Sequence, residues 1–130
     1  MKLVDTSVII RFLARDDPVK AERVRKLFLQ SEEELLVSDM SFWETVYVLE
    51  RIYGKSREEI FNLLAGLLSS QRLEFEHGKL LFQALALYRE HGVPFADAWQ
   101  VALARDRGAE AVYTYDRHFG SRLRFPSREP

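Results

Sequence analysis

The chain has 130 residues, 47% of them hydrophobic and 30% charged. That balance excludes a disordered chain and predicts one domain over residues 1–130. There is no cysteine, which excludes disulfide scaffolds, thiolate metal sites and cysteine nucleophiles. Net charge is −1, from 19 basic and 20 acidic residues, so bulk charge does not point to nucleic acid. Fourteen of the 19 bases are Arg, a residue suited to phosphate but used at least as often for surface ion pairs. Asp5 and Arg11 interrupt the first apolar run, which argues against a secretory signal. No stretch approaches the ~18–20 apolar residues of a membrane span. A cytoplasmic protein without membrane contact is expected.

In chain order, Leu3-Val4 predicts a short strand ending near Asp5-Thr6-Ser7, and Val8–Leu13 begins a helix. Asp17-Pro18 is a helix-start signal, followed by Ala21, Val24, Leu27 and Phe28 at helical spacing. Leu35-Leu36-Val37 reads as a buried strand. Phe42, Val46, Leu49 and Tyr53 then form an apolar helical stripe that stops at Gly54. Ser56-Arg57-Glu58-Glu59 fits a capping box for a helix through Leu68. Leu73-Glu74-Phe75 predicts a strand, residues 80–91 a helix stopped by Gly92, and Pro94 opens an Ala-rich helix ending near Gly108. Ala111-Val112-Tyr113-Thr114 reads as a buried strand leading into Asp116, and a short Arg-rich tail follows. Alternating strands and helices imply an α/β fold with a mainly parallel sheet. Ligands of such sheets bind beyond the carboxyl ends of the strands. Asp5 and Asp116 each close a strand there.

Four acids, Asp5, Glu44, Asp97 and Asp116, sit among small or apolar residues. Each has an ordinary explanation taken singly. Asp5 could close a strand and bond the next amides. Glu44 lies roughly 150° or more around its helix from the apolar stripe, at ~100° per residue. Asp97 falls in a first turn, where the helix dipole favours an acid, and Asp116 could cap a short helix. Four carboxylates converging in one cleft could not all ionise unaided. Divalent cations relieve such repulsion and suit phosphodiester cleavage.

Residues 5–13 (Asp-Thr-Ser-Val-Ile-Ile-Arg-Phe-Leu), 41–49 (Ser-Phe-Trp-Glu-Thr-Val-Tyr-Val-Leu), 95–98 (Phe-Ala-Asp-Ala) and 114–119 (Thr-Tyr-Asp-Arg-His-Phe) resemble the acidic motifs of PIN-domain proteins. The likeness is greatest to the VapC-like toxin ribonucleases of type II toxin–antitoxin pairs. It covers nearly the whole chain in the right order. The resemblance implies a three-layer α/β/α fold with a mainly parallel central sheet and a ribonuclease dependent on Mg²⁺ or Mn²⁺. It makes Asp5, Glu44, Asp97 and Asp116 the metal-binding, catalytic acids, with Ser7 and Thr114 as polar supports. It also implies an RNA substrate, a cognate antitoxin and a homodimer. Many relatives carry a further acid about one turn after Asp97, where Gln100 and Val101 stand here. One metal site is therefore better supported than two.

Arg11, Arg15 and Arg117 are candidates for RNA phosphate contact, with ion pairing equally expected. His77, His91 and His118 are too scattered for a metal set, and His118, next to Asp116, reads first as structural and second as a substrate contact. Trp43 and Trp99 flank two of the acids and read as core or interface aromatics. Two rival functions are set against the nuclease. An aspartate-based phosphoryl-transfer enzyme would want an acid where Ser7 stands, or a Lys where Arg117 stands. A non-catalytic PIN-like module binding RNA or protein is opposed only by retention of all four acids.

Overall fold

A computed structural model describes residues 1–130. The chain forms two compact units, Met1–Gly78 and Lys79–Pro130. Each combines helices with parallel strands, the α/β arrangement the alternating pattern predicts. No helix is long and apolar enough to cross a membrane.

In the first unit the order is β1 (Lys2–Leu3), α1 (Thr6–Ala14), α2 (Pro18–Gln30), β2 (Leu35–Val37), α3 (Asp39–Arg51), α4 (Arg57–Leu68) and β3 (Leu73–Phe75). β2 lies between β1 and β3 and pairs parallel with both, with Lys2 opposite Leu35 and Leu35 opposite Leu73. Parallel neighbours need a crossover, here a pair of helices each time. The consequence for function is that all three strands point their carboxyl ends the same way. Asp5, Ser38-Asp39 and Glu76 therefore emerge along one edge of this sheet.

Local chemistry sets the helix starts. Asp17 accepts from the Lys20 N–H at 3.1 Å, with Pro18 in the first turn. Ser56 and Glu59 form a reciprocal capping box. α1 ends at Arg15, which takes a left-handed φ of 56°, a conformation that costs a non-glycine residue about 1–2 kcal/mol. Ile9, Phe28, Val37, Phe42, Leu49, Ile60 and Leu64 are buried. Each contributes about 1.5–3 kcal/mol of transfer free energy.

The second unit holds α5 (Gly78–His91), which starts at the unit's boundary, then α6 (Phe95–Arg107), β4 (Val112–Tyr113), the single turn α7 (His118–Ser121) and β5 (Ser127–Arg128). Leu81, Leu85 and Tyr88 of α5 are buried, as are Ala98, Val101 and Ala102 of α6. Gly108, at φ 66°, ends α6 in a left-handed cap. Two expectations change. The Arg-rich tail supplies β5, which pairs parallel with β4 (Val112 opposite Ser127). The Ala111–Thr114 run is not wholly buried, for Tyr113 is 72% exposed. Strand side chains alternate between faces, and a tyrosine tolerates the wet one.

Candidate active site and metal centre

In the first unit Asp5 is the N-cap of α1. One oxygen of its carboxylate, Oδ2, accepts from the Ser7 hydroxyl at 2.8 Å and from the Ser7 N–H at 3.2 Å. These bonds, the hydroxyl's first, hold the exposed Asp5 carboxyl below its usual range. Glu44 lies exposed on α3. Each acid is followed by a buried threonine, and both threonines reach one carbonyl. Thr45 donates to the Ser41 carbonyl at 2.7 Å and Thr6 does so at 3.4 Å. Thr6 and Thr45 are 5% and 0% exposed and are the buried polar residues of the chain. The start of α1 is thereby tied to the first turns of α3, which fixes the backbone carrying Asp5 against the backbone carrying Glu44.

Arg11 donates to Asp16 Oδ1 at 2.6 Å, and the Tyr53 hydroxyl donates to Asp16 Oδ2 at 2.7 Å. The Tyr53 bond is the main reason Asp16 is held below its usual range, while the same bond pushes the Tyr53 phenol up. Arg15 sits at the end of α1, beside an apolar groove.

In the second unit Asp97 stands in the first turn of α6. Asp116 follows β4 in a tight local turn. Its N–H donates to Thr114 Oγ1, and its Oδ1 accepts from the His118 N–H, both at 2.9 Å. One oxygen each from Asp97 and Asp116 and one ring nitrogen of His118 all lie within 4.8 Å of one another. Asp97 Oδ2 is buried and has no hydrogen-bond partner. Burial, and then the neighbouring Asp116 charge, push the Asp97 carboxyl up, with His118 opposing. That rise occurs although the helix dipole favours a charged acid at this position. Arg117 is exposed between Asp116 and His118.

The structure thus brings Asp97 and Asp116 together. Asp5, Ser7, Glu44, Arg11 and Arg15 stand in the first unit, and Thr114 and Arg117 in the second. The donor set at Asp97 fits a divalent cation. It presents two hard oxygen donors with an excess of negative charge, and Asp97 also carries a buried oxygen without a partner. A cation there would neutralise the charge of this half-buried carboxylate.

Several members of these arrangements are not among the site residues expected from the sequence. Two of the histidines meet acids. His118 joins Asp97 and Asp116. At the sheet edge of the first unit His77 Nδ1 lies 2.6 Å from Asp39 Oδ2, while Glu76 accepts from the Asp39 N–H at 3.0 Å. The signal for this second cluster lay in its setting, because Asp39 and Glu76 both follow strands of a parallel sheet. Thr6, Ser41 and Thr45 carried no charge to mark them.

Comparison with known proteins adds an independent line. The family model described as the PIN domain matches residues 2–122. A VapC ribonuclease of Aquifex aeolicus (strain VF5) is 29% identical over 133 residues, covering 100% of this chain and 97% of the relative. The crystal structure of Mycobacterium tuberculosis VapC20, described as a sarcin-ricin-loop-cleaving toxin, is 23% identical, covers 98% of each chain and aligns with a TM-score of 0.43.

Proposed function

The chain belongs to the PIN-domain family, and on that footing we propose that it is a metal-dependent endoribonuclease, the toxin of a type II toxin–antitoxin pair. The observation that carries this reading is the Asp97–Asp116 pair with its buried, unbonded oxygen. The full-length likeness to a VapC ribonuclease supports the same reaction. The substrate is RNA, the cofactor Mg²⁺ or Mn²⁺, and the compartment the cytoplasm.

Asp97 and Asp116 hold the cation, and Asp5 and Glu44 are the remaining acids of the set. When bound, a divalent cation supplies the positive charge that Asp97, Asp116 and a substrate phosphate need. Thr114 orients Asp116 through its N–H, and Ser7 orients Asp5 through two bonds to one oxygen. The Asp5 carboxylate, fixed in this way, keeps its charge and direction with less loss of side-chain entropy when it binds. Arg15 and Arg117 are placed in the proposal as phosphate contacts. Arg11 joins them with the N–H donors it does not give to Asp16.

Two surfaces of the first unit suit the partners of such a toxin. Met40, Trp43 and Tyr47 leave an exposed apolar stripe along α3, with Trp43 stacked on Tyr47, and this would serve a homodimer. A groove of about 340 Å³ lined by Phe12, Phe28, Leu29, Leu63, Leu67 and Leu73 would take apolar side chains of the cognate antitoxin.

The test is cleavage of a structured RNA by the purified protein with added Mn²⁺ or Mg²⁺, with EDTA, and with Asp5→Asn and Asp97→Asn. Cleavage that needs the ion and both carboxylates is expected. Cleavage indifferent to EDTA, or RNA binding without cleavage under either metal, would contradict the reading.

A further inference from the structure

We propose that His118 is a direct ligand of the cation held by Asp97 and Asp116, and that its nitrogen makes the site favour Mn²⁺ over Mg²⁺. This rests on the metal site proposed above and extends it by one named donor.

The His118 N–H is committed to Asp116 Oδ1 at 2.9 Å. That bond closes a turn and brings the imidazole back toward the carboxylates. The ring nitrogen Nε2 then lies 3.6 Å from the same oxygen. This is ion-pair range but too long for a hydrogen bond, so the ring is close to Asp116 without being consumed by it. A ring nitrogen of His118 and one oxygen each of Asp116 and Asp97 form a mutually close set. Three donors gathered around one point, from α6 and from the turn after β4, are what a cation binds. A simple Asp116–His118 pair would leave Asp97 Oδ2 buried and unbonded, as it stands. Asp97 has one oxygen in that donor set and a buried oxygen without a partner, and its charge is what an ion shared with Asp116 and His118 would neutralise.

The position of the ring is also fixed. His118 is half-buried, and the next residue, Phe119, is buried with 4% exposure. The apolar anchor on one side and the turn on the other restrain where the imidazole reaches. A nitrogen donor has a chemical consequence. Mg²⁺ binds through oxygen almost exclusively, whereas first-row transition ions accept imidazole readily. An all-carboxylate site would discriminate little between Mg²⁺ and Mn²⁺ on donor type. A carboxylate–carboxylate–imidazole site would discriminate in favour of Mn²⁺.

The test uses the whole chain, Mn²⁺ and Mg²⁺ as the probes, and the variants His118→Gln and Asp97→Asn. The turn is held by the backbone N–H of residue 118, so His118→Gln retains it. Mn²⁺ affinity is read from the loss of the free-ion electron paramagnetic resonance signal, and Mg²⁺ affinity by competition. His118→Gln should weaken Mn²⁺ binding by about 10–100-fold, the range for disturbing a metal ligand's surroundings or more, and weaken Mg²⁺ far less. Electron spin echo spectra of the Mn²⁺ complex should show nitrogen modulation in the parent protein and none in His118→Gln, although His77 and His91 remain. This second readout does not depend on how stable the variant is.

Equal weakening of both ions, unchanged Mn²⁺ affinity, or a parent spectrum without nitrogen modulation would overturn the assignment. So would lost RNA cleavage with intact Mn²⁺ affinity, which would make His118 a substrate contact instead. In each of these cases Mn²⁺ binding that is lost in Asp97→Asn leaves the metal-dependent reading standing. Mn²⁺ that fails to bind the parent, or binds Asp97→Asn as tightly, would overturn both.

Discussion

Asp5 and Asp97 are both aspartates at the start of a helix, yet the protein treats their charges in opposite ways. Asp5 is exposed and receives two hydrogen bonds from Ser7, which hold its carboxyl below the usual range. Asp97 is half-buried with one oxygen unbonded, and burial together with Asp116 holds its carboxyl above that range. The first is a carboxylate satisfied without any ligand. The second carries an electrostatic cost that a cation would remove. Both stand at a helix start, Asp5 as the N-cap and Asp97 in the first turn, and their surroundings set the opposite shifts.

The largest effects should separate the two acids by what each does without metal. Asp97→Asn and Asp5→Asn should both lower RNA cleavage by more than about a hundredfold, above the ~10–100-fold typical of residues one step removed from a metal. Cleavage assays at saturating Mn²⁺ check this, and retention of activity in either variant would break the shared role. Stability should move differently. A cation at about a hundred times its dissociation constant adds about 2.7 kcal/mol to the folded state, so Mn²⁺ should raise the melting temperature of the parent protein. Asp97→Asn should lose that rise while melting higher than the parent in EDTA, because it removes the ill-solvated charge. Calorimetry with and without EDTA reads both. A metal-free variant less stable than the parent would mean the Asp97 charge is not unfavourable.

A smaller effect concerns placement. Thr45→Val removes the 2.7 Å bond to the Ser41 carbonyl and should cost about 1 kcal/mol, read as a lower urea midpoint. RNA cleavage should fall with it while Mn²⁺ affinity at Asp97 does not. The smallest effects are in the pH dependence. Asp5 has a folded-state pKa below its unfolded value near 3.8. Its contribution to stability is complete above that value and is lost as pH falls through the lower, folded one. Asp97 has the opposite sign. Between 3.8 and its raised folded value the native state binds the extra proton, so metal-free stability rises as pH falls through that window. Carbon-detected titration of the two carboxyls, with Ser7→Ala bringing Asp5 upward toward 3.8, would sharpen the contrast. Parallel titration of the two acids would erase it.

Much of the fold could be read from the chain because its signals are local. Asp17-Pro18, the Ser56–Glu59 capping box and Gly108 mark helix ends by their own chemistry, and the structure has those ends. β5 had no such mark. Ser127-Arg128 has no apolar pattern, and its partner Val112-Tyr113 is distant in sequence. The acids were visible as charges in apolar settings, and strand-end logic drew attention to Asp5 and Asp116. Their environments were not visible. Nothing in Phe-Ala-Asp-Ala tells that one Asp97 oxygen is sealed from water, or that His118 lies beside it. The Thr6–Ser41–Thr45 contact is likewise a product of tertiary packing, made by residues that a charge-centred reading passes over.

The most direct measurement is the anomalous scattering of Mn²⁺ soaked into crystals of the protein. The expected result is an ion bonded to oxygens of both Asp97 and Asp116. A peak only at the Asp39–Glu76–His77 cluster, or no ordered ion at the Asp97 carboxylate, would contradict the claim that this uncomfortable charge is kept for a metal.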